Sequence, residues 1–191
     1  MAYPTTTPPP PTPNLAFVGP DENGTIYIEG ARCTRTPFFP VSMVKHSKPS
    51  LIIHRITPSG HQEPFFTSHT SISGTSRINL ISRACEIKME ISYEGMRLRR
   101  EFQAPLGKLS WFPSGNSGCN QKLKDRNETL LANLTTNIGR SKEPRVEILV
   151  PCDEYSVDLI VGTGLTVYKD TMKEVKQVEA VSEVIGGVLG G

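Results

Sequence analysis

The amino-acid sequence predicts a mainly β fold of the α+β class, a barrel or sandwich of short strands holding one fully enclosed helix near the end of the chain. Two observations predict it. The segment Tyr155 to Tyr168, YSVDLIVGTGLTVY, carries a single charge, at Asp158, and its apolar residues fall on every side of a helical wheel. A helix with no solvated face must be enclosed, and this one is too short for a bilayer, which needs about 20 apolar residues, so a protein shell has to surround it. Ahead of it, from Thr25 onward, short runs of apolar residues alternate with Gly, Pro, Ser and Asn, the mark of repeated short strands. Strands followed by one late helix exclude a doubly wound fold.

In chain order, Met1 to Asn14 is Thr and Pro, including Pro8 to Pro11. Such a composition favours extended polyproline conformers and cannot bury a core. Residues 1–20 are therefore assigned to a disordered leader, 21–173 to the folded domain and 174–191 to an amphipathic, then Gly-rich and flexible, tail. A linker is the simple reading of the leader, and an SH3 or WW ligand the functional one. Candidate strands follow at Thr25 to Ile28, Phe38 to Val44 with Pro40 inside it, Leu51 to Ile56, Phe65 to Thr67, Arg77 to Ser82, Leu109 to Phe112, Lys122 to Asp125, Leu130 to Leu134 and Val146 to Val150.

The best-defined hairpin is Ile87 to Phe102. Ile87, Met89, Ile91 and Tyr93 alternate with Lys88, Glu90 and Ser92, and Glu94-Gly95 reads as a two-residue turn. That turn sets Glu90 against Arg99, Lys88 against Glu101 and Met89 against Arg100. Opposite charges then meet across the outer face, each pair contributing about 0.2 to 1 kcal/mol. Arg100 falls on the apolar face, where an unpaired charge costs several kcal/mol. It either pairs with Asp158 inside the barrel, or the two escape to the mouths, or a β-bulge at Arg99 and Arg100 turns it outward.

Pro151 closes the last strand, and Asp153 is placed to cap the helix. Gly162 and Gly164 weaken a helix by roughly 1 kcal/mol each, which implies close packing against them. Beyond Tyr168, Met172, Val175, Val178, Val181 and Ile185 recur every three or four residues as a narrow stripe, by default a continuation of the helix.

A chain of 191 residues suits one domain of roughly 150 residues plus tails. Its net charge of +2 and pI of about 8.3 are too mild to indicate nucleic acid, whose binders usually exceed a pI of about 9. Cys33, Cys85, Cys119 and Cys152 are widely spaced and are expected as reduced thiols. With no export signal or long apolar window, the chain reads as cytoplasmic, and sequons at Asn23, Asn127 and Asn133 as accidental. His46, His54, His61 and His69 match no zinc spacing. The segment Ser114 to Cys119 superficially resembles a serine-protease nucleophile loop, but Asn116 and Cys119 depart from that pattern and a polar turn explains it. No phosphate loop, HExxH or nucleophile elbow appears. No catalytic residue, metal site or cofactor is assigned, and the protein is expected not to be an enzyme.

The late enclosed helix, Asp153 to Lys169, preceded by a strand-rich chain, resembles the tubby-like barrel superfamily of tubby C-terminal domains, LURP-one-related proteins and phospholipid scramblases. The resemblance covers Thr25 to Met172. It implies a closed antiparallel β-barrel of about 12 strands wrapped around a buried hydrophobic C-terminal helix. The chain lacks the scramblases' C-terminal anchor and cysteine cluster, and LURP-one-like small barrels are the nearest type. Tubby domains bind phosphoinositides through basic residues outside the barrel, so the resemblance implies reversible, peripheral binding of an anionic membrane phospholipid. Candidate contacts are Lys122, Lys124 and Arg126, with Arg97 and Arg99 on the hairpin. A solvated, charge-paired strand face is the ordinary structural explanation of both clusters. The alternative function is a structural or protein-binding module acting through the Pro-rich leader and the C-terminal tail, and an undetected hydrolase is the third.

Overall fold

The computed structural model describes residues 15–189 except 22, 30–34, 44–49, 58, 72–73, 95–96, 106, 116–118 and 137–142. They form twelve strands and one long helix: β1 (Leu15–Val18), β2 (Thr25–Glu29), β3 (Arg35–Met43), β4 (Leu51–Ile56), β5 (Gln62–Thr70), β6 (Ser76–Leu80), β7 (Cys85–Glu94), β8 (Arg97–Ala104), β9 (Gly107–Ser114), β10 (Asn120–Asp125), β11 (Leu130–Thr136), β12 (Pro144–Ile148) and α1 (Glu154–Leu189). Every strand pairs antiparallel with its neighbours in sequence, and β1 pairs with β12, so the sheet is an up-and-down barrel without a free edge. The expected closed antiparallel barrel around a C-terminal helix is thus the observed fold.

Alternation builds the wall. In β6, β10 and β12 inward residues such as Ile78, Leu123 and Val146 are buried while their neighbours face out, as the two-residue period of a strand requires. Two breaks in that period coincide with prolines. The β4–β5 ladder shifts register between Ile53 and His54, where Pro64 stands opposite, and the consecutive Phe65 and Phe66 both turn inward. The β2–β3 ladder shifts between Ile26 and Tyr27, opposite the Pro37 to Phe39 stretch. Proline removes a ladder donor and is tolerated at such bulges. Phe39 and Phe65 then meet with ring centroids 4.7 Å apart.

Twelve strands enclose more space than their own side chains fill, and α1 occupies it. From Ser156 to Val167 every residue is buried, so the predicted absence of a solvated face is met. The backbone amide and hydroxyl of Ser156 both donate to the Asp153 carboxylate, which caps the helix as expected. At Gly162 a Cβ would lie 2.2 Å from the Phe66 ring, and at Gly164 it would lie 3.2 Å from Val146. The two glycines therefore admit the wall. Trp111 Nε1 donates to Thr163 Oγ1 at 3.1 Å, and that hydroxyl donates to the Leu159 carbonyl at 2.8 Å. The helix enters at one mouth, here the upper, beside the β4, β6 and β12 ends, and leaves by the lower mouth near Thr70 and Ser76. It continues as helix to Leu189.

Three expectations are corrected. Leu15 to Val18, assigned to the leader, is β1, the strand that seals the barrel. Four residues beside a Pro-rich stretch give too short a pattern to register. The hairpin register differs, because Glu94 pairs with Arg97. Glycine serves at either central position of a two-residue turn, so the expected and the observed pairing were both compatible with the sequence. The strands therefore slide by two residues relative to the expected register, which preserves each residue's face but changes its partner. Glu90 stands opposite Glu101, Met89 opposite Phe102, and Arg100 opposite Ile91. Finally, the β7–β8 ladder runs without a register shift and Arg100 is 2% exposed, so no bulge turns it outward.

Candidate functional site

Four of the five predicted cations lie on β8 and β10, the two strands that flank β9, and the fifth, Arg126, follows β10. Lys122 and Lys124 alternate with the inward Leu123 in β10, so both face out. Lys122 stands opposite Phe112 of β9, and Arg99 occupies the next strand over, on β8. The Arg99 guanidinium lies 5.8 Å and the Lys124 ammonium 5.4 Å from the Phe112 ring centroid. Two clusters that are separate in sequence thus become one patch around an aromatic ring. Sequence reasoning missed Phe112, although its place among alternating residues of β9 was the available signal.

Charge pairing tempers the patch. Arg99 Nε donates to Ser92 Oγ at 2.9 Å and lies 3.0 Å from Glu101 Oε1. Lys108 approaches the same carboxylate at 3.2 Å, and Lys124 pairs with Glu128 at 2.6 Å. Burial works against the Glu101 charge, but Lys108 and Arg99 outweigh it and hold the carboxyl below the usual range. The Arg99–Glu90 cross-strand pair expected from the sequence is replaced by this bond along the strand. Lys122 is exposed and makes no ion pair with a described residue. Arg126 is exposed in the β10–β11 turn at the upper mouth, beside Asp125, whereas Arg97 stands at the opposite end of β8, where the structure describes its backbone alone. Arg99, Lys122 and Lys124 therefore converge, and Arg126 and Arg97 flank them along a diagonal.

The charges at the barrel ends are organised by α1. At the upper mouth Arg55 reaches Glu154 and Asp158 at 2.6 Å each and lies over the Phe65 ring at 5.1 Å. Burial pushes the Asp158 carboxyl up, and Arg55 offsets this only in part. At the lower mouth Asp170 Oδ2 accepts from Thr70 Oγ1 at 3.0 Å and Ser76 Oγ at 3.2 Å, and burial raises its pKa as well. Lys169 donates to Ser50, and burial lowers its pKa. Arg100 bonds Glu174 Oε1 at 2.8 Å. The proposed pairing of Arg100 with Asp158 is overturned: Asp158 and Glu174 are sixteen residues apart on α1, about 24 Å along the axis. Each charge has gone to its own mouth.

His54 lies in β4, His69 in β5 and His61 in the exposed connection between them, while His46 is outside the described residues. No group of three or more His, Cys, Asp or Glu side chains among the described residues is arranged to hold a metal ion. Cys85, Cys119 and Cys152 form no disulfide among the described residues, and Cys33 lies outside them. Among the described residues no helix is long and apolar enough to cross a membrane. Compared with protein-family models, curated proteins and solved structures, the chain matches none.

Proposed function

We propose that the chain is a tubby-like, non-enzymatic barrel of the LURP-one-related type that attaches reversibly to an anionic phospholipid surface, as a peripheral protein of the cytoplasmic face, through the β8–β10 wall. The observation that carries this reading is the convergence of Arg99, Lys122 and Lys124 around Phe112. A cation near an anionic membrane contributes about 1 kcal/mol, and an aromatic ring suits the interface between headgroups and water. Glu101 and Glu128 already engage Arg99 and Lys124, so Lys122 and Arg126 carry the larger share and the attachment is weak and salt-sensitive.

Co-sedimentation with phosphatidylcholine vesicles, with and without a phosphoinositide, tests it at low and high salt. Binding is expected to require the phosphoinositide, to fall with salt, and to drop on the order of tenfold in the Lys122→Ala, Lys124→Ala, Arg126→Ala variant. Failure to sediment at low salt overturns the reading and favours a protein-interaction module.

A further inference from the structure

At the lower mouth a cavity of about 160 Å³ opens beside α1, lined by Thr70, Ser71, Ile91, Arg100, Lys173 and Glu174 among others. Arg100 is its buried element. The side chain comes from β8 across from Ile91, is 2% exposed, and has one hydrogen bond to a described residue, from Nη2 to Glu174 Oε1 at 2.8 Å. Its Nε is buried and finds no acceptor among the described residues. A guanidinium presents Nε–H and Nη2–H as a parallel fork that suits two oxygens of one oxyanion. Glu174 fills half of that fork. Its carboxylate reaches with a single oxygen, from a side chain that is 50% exposed and can turn into solvent.

The charges around the cavity decide what would replace it. With Glu174 swung out, Arg100 and Lys173 face Asp170, leaving one net positive charge. Asp170 is itself occupied on Oδ2 by the hydroxyls of Thr70 and Ser76. A buried cation of this kind calls for a compact anion with several acceptor oxygens. We propose that the lower-mouth cavity is a binding site for a phosphate group, held by Nε and Nη2 of Arg100 with Lys173 beside it, and that Glu174 is a tethered competitor for the same fork. The site is separate from the outer wall around Phe112, so it stands or falls independently of attachment through Lys122 and Lys124. Its phosphate is either a free ion or monoester, or a lipid headgroup offered at the rim, where Tyr93 is 71% exposed.

The test follows the Arg100 Nε–Hε resonance by NMR in the full chain while inorganic phosphate replaces chloride at constant ionic strength. In the wild type the resonance is expected to shift saturably. In Glu174→Gln it is expected to saturate at about tenfold lower phosphate, because the competitor no longer closes the site. The Lys122→Ala, Lys124→Ala, Arg126→Ala variant is expected to titrate as the wild type does. Vesicles of phosphatidylcholine with and without a phosphatidylinositol phosphate form the second arm: a shift produced by those vesicles but not by free phosphate assigns the group to a lipid. No shift in the wild type or Glu174→Gln with either probe overturns the proposal and leaves Glu174 a structural counter-ion. An equal shift with chloride overturns it too. Should Glu174→Gln not fold, Glu174→Ala provides the same comparison.

Discussion

Single residues decide how closely wall and helix approach. Gly162 faces the Phe66 ring so tightly that a methyl group has no room, whereas Gly164 meets Val146 at a distance a small shift relieves. Gly162→Ala is expected to lose about 1–3 kcal/mol by overpacking, net of the roughly 1 kcal/mol a helix gains from Ala. Gly164→Ala should lie near neutral, and urea midpoints of the two variants measure the difference. Both glycines were legible in the sequence as misplaced helix residues, because a residue that weakens its own element must serve another. Asp170 was less legible, since nothing local marks it as buried. Burial raises its carboxyl above the ordinary value, so at pH values between the two the folded chain keeps a proton that the unfolded chain has lost. Stability therefore falls as pH rises from the ordinary carboxylate range through the raised value. Asp170→Asn should flatten that part of the profile, leaving the contribution of the same sign from Asp158. Asp21, Asp125 and Asp153, held below the ordinary range by hydrogen bonds, act oppositely and lose their contribution only at lower pH. Urea midpoints between about pH 4 and pH 7 separate the two groups.

Elements carry the contacts that residue types alone do not announce. The hydrogen bond from Trp111 on β9 to Thr163 on α1 ties wall to plug in a buried setting. Thr163→Val keeps the shape but leaves the indole N–H without an acceptor, at a cost of about 1–3 kcal/mol. The chain has one tryptophan, so its fluorescence reports both the local change and the shifted unfolding midpoint. The hairpin of β7 and β8 shows where pattern reading stops. Alternation assigned Ile87, Met89 and Phe102 to the inner face correctly, because face depends only on parity. Partner assignment needs the loop position as well, and a glycine fits either slot of a two-residue turn. A shift of one loop residue exchanged the favourable Glu90 and Arg99 pair for Glu90 against Glu101, and moved the compensation to Arg99 and Lys108. The basic patch was half visible for the same reason: β10 and β8 each displayed their cations, but that β9 stands between them and sets Phe112 beside both is a matter of strand pairing, not of local pattern.

The whole molecule depends on its least conspicuous strand. β1 is four residues long, yet it bonds to β12 on one side and β2 on the other. Removing residues 1–14 should leave the unfolding free energy within about 0.5 kcal/mol of the full chain, as expected from their Thr- and Pro-rich composition. Removing residues 1–18 should expose the edges of β2 and β12 and give concentration-dependent association in size-exclusion chromatography, because unpaired edges recruit one another. The resemblance supplied the closed barrel, but which strands make the seam was illegible in the residues, since pairing over such a distance leaves no local periodicity. The same seam sets the shape of the sheet before it closes. Leu15 and Ile148 are joined across the whole span of the barrel strands, a non-local pairing that is intrinsically slow to form, whereas β1 meets β2 through a short connection. A sheet whose β1–β2 hairpin has formed but whose seam is still unpaired is an open, curved apolar gutter, and β12 is the lip that turns it into a tube.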